Sequence, residues 1–314
     1  MKAVIPLITQ SSTQRQQAWL NGLQKAMPNE RLMVAEEVSK SERKNCEIAI
    51  VANPDPNVLK LFPNLKWVQS LWAGVESLVK PSIENNFKLV RLVEPKLAET
   101  MAEAVLAWTL YLHRKMPSYS TQQKDKVWQQ LPYSSSKECK VGILGLGELG
   151  KASANRLIDN NFQVLGWSQS EKKIADVKSF SGKAGLIKMI EKTHILVCLL
   201  PLTEQTKGII DKNLLQNLPK GASIINFARG DLLKTDDLLT ELKRDHLYHA
   251  VLDVFEKEPL ESKSELWSHS NITVLPHISA TSNIETVIEI VEKNILEYRK
   301  AGKLNSVVDV GRGY

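Results

Sequence analysis

The chain has 314 residues, of which 43% are hydrophobic and 24% charged, with a formal net charge of +6. That composition excludes a disordered or fibrous chain, and the length suits two domains of ordinary size. The excess of base is not clustered, since "SERKNCE" and "ELKRDH" interleave both signs, so nucleic acid is not expected as a partner and the surplus is read as solvated surface plus a site for anionic ligands.

The first apolar run, in "MKAVIPLITQSSTQRQQ", is a strand candidate without the length or cleavage site of a secretory signal. The longest clean apolar run, the eight residues of "ILVCLLPL", is far too short for a membrane helix. A cytoplasmic protein with no membrane partner is expected. Cys46, Cys139 and Cys198 lie in or beside strand-like segments without metal-ligand spacing, so they are read as buried thiols and no metal site is expected.

Onward from the N-terminus, "KAVIPL", "RLMV", "CEIAIVAN", "LKWVQSLW" and "KLVRL" alternate with helical segments such as "STQRQQAWLNGLQKAM". This is the pattern of a parallel sheet with crossover helices. "LAETMAEAVLAWTLYLHRKM", with no Gly or Pro until Pro117, is read as a helix linking two domains. The alternation restarts after residue 140 with the strand candidates "VGILG", "QVLGWS", "HILVCLL", "SIINFA", "HAVLDV" and "ITVLPH". The helix "NIETVIEIVEKNILEYRKAG" closes at Gly302 before a short tail. If that helix returns to the first domain, the domain is built from both chain ends.

Gly145, Gly147 and Gly150 form G-x-G-x-x-G directly after an apolar strand and before the helical "ELGKASANRLIDNN". In that context the first glycine makes the tight turn, the second admits a pyrophosphate and the third lets helix and strand approach, while Glu148, Leu149 and Gly150 open the helix whose N–H groups meet the phosphates. A Rossmann dinucleotide site is the expectation. Such sites for NAD carry an acid at the end of the second strand, where this chain has Ser168, followed by Gln169, Ser170, Lys172 and Lys173. Neutral donors and cations suit a 2′-phosphate, so the expected cofactor is NADP(H), with NAD(H) as the alternative.

"LWAGVE", "MAEAV", "GILGLGELG", "LLPLTEQT", "INFARGDLL", "DVFEKEPL", "LPHISA" and the terminal "RGY" follow one another along nearly the whole chain. In this they resemble the D-isomer-specific 2-hydroxyacid dehydrogenases. The resemblance implies an α/β fold of two doubly wound parallel-sheet domains with a cleft between them. These would be a flavodoxin-like substrate domain over 1–101 and 284–314 and a Rossmann nucleotide-binding domain over 102–283. It further implies Arg229, Glu258 and His277 as the catalytic set, with Asp253 near the nicotinamide. Leu200, Pro201, Thr206 and Ala228 would be further cofactor contacts, and Trp72, Ala73 and Gly74, with Arg229 and His277, would bind substrate. Reduction of a 2-oxoacid needs a cation for the carboxylate and an acid for the carbonyl oxygen, tasks that fit Arg and a His paired with a carboxylate.

The implied activity is reduction of small 2-oxoacids, glyoxylate to glycolate and hydroxypyruvate to D-glycerate, by a homodimer joined through the nucleotide domains. A dehydrogenase of larger 2-oxoacids and a non-catalytic dinucleotide-sensing corepressor are the alternatives. The chain departs from the family pattern at Trp72, where many relatives have Gly, and at Gln169, where reductases often have Arg. Trp72 could fill the cleft or pack as core; Met101 and Glu103 could be core and cap residues of their helix or line the cleft.

Overall fold

Two runs of strand and helix succeed each other along the chain, and each folds into its own parallel sheet. The computed structural model describes residues 2–314 and divides into two units, one of the residues up to Lys96 with Ser282–Tyr314, the other Leu97–Thr281.

In the first unit the elements are β1 (Val4–Thr9), α1 (Thr13–Ala26), β2 (Arg31–Val34), α2 (Lys40–Arg43), β3 (Ile48–Ala52), α3 (Pro56–Leu59), β4 (Trp67–Ser70), α4 (Glu76–Glu84) and β5 (Lys88–Val90). The sheet order is β2-β1-β3-β4-β5, all parallel, the flavodoxin-like doubly wound order. Every residue of β3 is buried, as expected of a central strand covered on both faces. The C-terminal helix, Ile284–Ala301, places Val287, Ile288, Val291 and Ile295 in the same core as Trp19 and Leu23 of α1. Both ends of the chain therefore build one unit. Gly302 closes that helix with φ 64°, and the tail then covers the open edge of β5: Val307 bridges Val90 in antiparallel fashion, and the Val308 N–H donates to the Leu89 carbonyl at 2.8 Å.

The linking helix α5 (Pro95–His113) stops before Pro117, because Lys115 adopts φ 58° and restarts the chain as α6 (Met116–Asp125). The second sheet follows: β6 (Lys140–Leu144), α7 (Glu148–Asp159), β7 (Gln163–Ser168), β8 (Val177–Ser181), α8 (Gly182–Ile190), β9 (Ile195–Cys198), α9 (Lys212–Asn217), β10 (Ala222–Asn226), α10 (Thr235–Lys243), β11 (Leu247–Leu252) and β12 (Ile272–Val274). Its order, β12-β11-β10-β9-β6-β7-β8, is wholly parallel. It reverses between β6 and β9, the switch point at which a Rossmann sheet opens its ligand crevice. All three cysteines are buried; burial pushes the Cys139 thiol up to about 11 and that of Cys198 to about 12, which leaves them unreactive near neutral pH. Among the described residues no helix is long and apolar enough to cross a membrane.

Candidate active site

At the switch point the glycine turn has three distinct jobs. Gly145 adopts φ 102°, and a Cβ there would lie 2.7 Å from the Leu199 carbonyl oxygen; its N–H donates to Trp167 O at 2.9 Å. Gly150 lets α7 close on the turn, since a Cβ would fall 1.8 Å from the Gly145 carbonyl oxygen. Gly147 caps α7, and nothing lies within 4 Å of the point where its Cβ would be. Two glycines are thus required by the protein's own packing. The third faces open space beside the first-turn N–H groups of Glu148, Leu149 and Gly150, which have no intrahelical acceptor. Such a cradle fits a pyrophosphate.

β7 ends at the half-buried Ser168, whose hydroxyl donates to the Ser170 carbonyl at 2.7 Å; Gln169, Ser170, Lys172 and Lys173 are exposed. At the end of β9, Leu200 is buried and Pro201 half-buried. The Thr206 hydroxyl donates to the Pro201 carbonyl (2.7 Å) and accepts the Thr203 N–H (2.8 Å), so its visible work is to close that loop.

The loops after β10, β11 and β12 are stitched to one another. Asn226, fully buried at the end of β10, accepts the Asp253 N–H on its carbonyl (3.1 Å), accepts the Ala228 N–H on Oδ1 (3.2 Å) and donates from Nδ2 to the Arg229 carbonyl (3.0 Å). Ala228 is buried, and its carbonyl accepts from Arg229 Nη1 at 2.6 Å. Gly230 allows the Arg229 loop to lie against Phe255 and Glu256, whose backbone atoms sit 1.9 and 2.2 Å from where a Cβ would be. Asp253, 1% exposed, accepts the Ile278 and Ser279 N–H groups on its two carboxylate oxygens (2.7 and 2.8 Å), and its carbonyl accepts the His277 N–H (3.0 Å). That triple anchor holds His277 at φ 56°, a left-handed conformation that costs free energy unless its surroundings impose it.

His277 Nδ1 and Glu258 Oε2 are 2.8 Å apart, and the other carboxylate oxygen of Glu258 accepts the Phe255 N–H at 3.0 Å. An ionised carboxylate only accepts, so Nδ1 donates and Nε2 is the nitrogen left to exchange a proton. The His277 side chain is 50% exposed, open to a reactant.

In the first unit, Ser70 Oγ accepts the Trp72 N–H and donates to the Trp72 carbonyl, both at 3.0 Å, which sets the backbone leading to the half-buried Ala73 and Gly74. The Trp72 indole packs edge-on against Trp19, ring centroids 6.0 Å apart, with Arg15 over its face at 5.9 Å. It thus packs, half-buried, against the core of its own unit. Met101 is buried in the core of the second unit, whereas Glu103 is exposed.

Residues 106–279 match the family described as D-isomer specific 2-hydroxyacid dehydrogenase, NAD binding domain. The chain is 35% identical over 302 residues to glyoxylate/hydroxypyruvate reductase A of Yersinia enterocolitica, covering 94% of this chain and 96% of that protein. This chain belongs to the D-isomer specific 2-hydroxyacid dehydrogenase family. Two solved structures of such dehydrogenases are similar throughout. That from Xanthobacter autotrophicus Py2, in complex with NADPH and MES, superposes with a TM-score of 0.91 at 33% identity over 98% of this chain and 99% of that one. An NADPH-dependent glyoxylate/hydroxypyruvate reductase of Sinorhizobium meliloti, in complex with NADP and sulfate, gives 0.91 at 31% identity over 100% of both. As an oxidoreductase of this family, the chain carries one functional residue that its sequence concealed. Asn226 ties the Arg229 loop to the Asp253 strand, and the signal was an amide ending the apolar run "SIIN".

Proposed function

We propose that this dehydrogenase is an NADPH-preferring reductase of small 2-oxoacids, taking glyoxylate to glycolate and hydroxypyruvate to D-glycerate. The observation that carries the reading is the 2.8 Å contact between Glu258 and His277 on loops stitched to that of Arg229. When bound, the reduced nicotinamide supplies the hydride. Arg229 offers a permanently charged planar fork to the substrate carboxylate and carbonyl oxygen. His277 holds a proton at Nε2 for the oxygen as negative charge grows on it, while Glu258 fixes the ring and stabilises the imidazolium. The start of α7 with the Gly147 turn holds the pyrophosphate. Ser168, Gln169, Ser170 and Lys172 face the 2′-phosphate, which no carboxylate at the end of β7 repels. The NADPH and NADP complexes of the similar proteins support that choice of cofactor.

Specificity constants for glyoxylate, hydroxypyruvate and phenylpyruvate with NADPH and NADH in parallel test the reading. The two small substrates with NADPH should lead, and a preference for NADH or for phenylpyruvate would overturn it. His277→Ala should lower turnover on the order of 10²–10⁴-fold with NADPH binding retained; near-normal turnover would remove it as the proton donor.

The protein is further taken to be a homodimer joined through the second unit. That unit exposes Trp128 completely, together with Tyr133, Val127, Met116 and Tyr119, an apolar surface suited to a protein partner. Sedimentation should find a dimer in the wild type and dissociation in Trp128→Ala; a wild-type monomer would refute the assignment.

A further inference from the structure

The end of β7 does not stand alone. In the parallel register of β7 and β8, Trp167 pairs with Phe180 and Ser168 with Ser181, so Ser181 sits one strand spacing, about 5 Å, from the position where an NAD enzyme would carry its acid. Trp167 Nε1 donates to the Gly182 carbonyl at 2.9 Å, which fixes the turn after β8 against β7. Gly182 adopts φ 65°, with nothing within 4 Å of where a Cβ would lie, leaving the space above the turn open. Ser181 and Lys183 are exposed on either side of it. The Ser181 side chain accepts no helix amide, whereas the Ser168 hydroxyl is already engaged by Ser170. The loop that follows β7 and leads into β8 carries the exposed Gln169, Ser170, Glu171, Lys172, Lys173 and Asp176, two acids and two lysines to which Lys183 adds a third cation.

Resting on the NADPH reading above, we propose that Ser181, which ends β8, and Lys183, in the first turn of α8, are specificity-determining residues that bind the cofactor's 2′-phosphate. Lys183 supplies a point charge and Ser181 a free hydroxyl donor to an ester that is largely dianionic at neutral pH. The site is then a cradle of two strand ends and the start of α8, and this accounts for discrimination by a chain that has Gln169 rather than a guanidinium at the end of β7.

Calorimetric titration of the full chain with NADP⁺ and with NAD⁺ reads the effect without turnover. Lys183→Ala should weaken NADP⁺ roughly tenfold, the scale of one charge-assisted contact, and leave NAD⁺ within about twofold on that same scale. Lys183→Glu should weaken NADP⁺ further by repulsion, and Ser181→Ala should weaken it less than Lys183→Ala does. If the wild type prefers NADP⁺ and these variants keep that preference, the β8 contribution is refuted while the cofactor reading stands. Equal weakening of both nucleotides would also refute it, as a structural effect. If the wild type binds NAD⁺ as tightly as NADP⁺, the cofactor reading itself fails and takes this inference with it.

Discussion

Gly147 and Gly150 stand three residues apart in the same turn, yet substitution by alanine should have opposite signatures. At Gly150 the added Cβ would collide with the Gly145 carbonyl oxygen at 1.8 Å, a backbone clash that no side-chain rotation relieves, so Gly150→Ala should lower the melting temperature and the dinucleotide affinity together. At Gly147 the Cβ meets nothing, so Gly147→Ala should melt like the wild type and still bind NADP⁺ more weakly, because the methyl group occupies space meant for the pyrophosphate. Calorimetry and a melting curve on both variants decide it, and unaltered affinity in Gly147→Ala would place the phosphates elsewhere. Trp72 gives a second test at this scale. Its Nε1 is buried without a partner, so Trp72→Phe should preserve the edge contact with Trp19 and remove an unsatisfied donor, at little cost in stability. Trp72→Ala should cost up to roughly 3–5 kcal/mol, the range for removing a large aromatic from a core. A melting temperature unchanged in Trp72→Ala would show that the indole's packing in the first unit contributes nothing.

At the scale of elements, legibility followed burial. β3, β6 and β10 read as strands because covered parallel strands are continuous apolar runs, as in "IAIVA", "KVGIL" and "ASIIN". β8, "VKSFS", escaped the sequence because it is the outermost strand of its sheet and buried nowhere along its length; its Lys178, Ser179 and Ser181 leave no apolar signal. The same absence hid Ser181 as a neighbour of Ser168, for adjacency across strands is set by sheet order and not by sequence distance. The break of the linking helix at Lys115 was concealed too, since nothing in "LHRKM" demands a left-handed residue. Arg229, Asp253, Glu258 and His277 stand in motifs after strands and so could be put forward as candidates, whereas Asn226, which ties the Arg229 loop to Asp253, acts through backbone partners that no spacing reveals. The tail's pairing with β5 was equally invisible. Ending the chain after Asn305 would remove Val308, 5% exposed, and uncover the β5 edge. Loss of the Val308 side chain alone is worth about 1.5–3 kcal/mol, and an exposed edge invites strand pairing between molecules. The truncated protein should therefore melt lower and self-associate in light scattering; a monodisperse sample of wild-type melting temperature would show the tail to be dispensable.

For the whole molecule, acid should act through a histidine that the second unit buries. His113, His194 and His249 all lie in it, and partial loss of water, the largest cause at each, holds all three below the ordinary histidine range, but His194 is exposed, His113 half-buried and only His249 buried. At His249 the value falls to about 4, with His269 adding to the effect of burial. The ring is 3% exposed and contacts Thr273 Oγ1 through Nε2 at 2.9 Å. In the folded protein it stays neutral down to about that pH, whereas in the unfolded chain it takes up a proton near 6.5. Between those limits the unfolded state binds more protons, so stability must fall as pH drops from about 6.5 and level off, for this group, below about 4. A difference of roughly two and a half pKa units corresponds to on the order of 3 kcal/mol, a large share of the net stability of a domain. Melting temperatures measured from pH 7.5 down to 4.5 should fall progressively in the wild type. In His249→Gln, which keeps a polar group within reach of Thr273 and cannot take up the proton, the fall should be shallower even if the starting value at pH 7.5 is lower. Parallel curves for the two proteins would mean that His249 ionises alike in both states and that the acid sensitivity lies elsewhere.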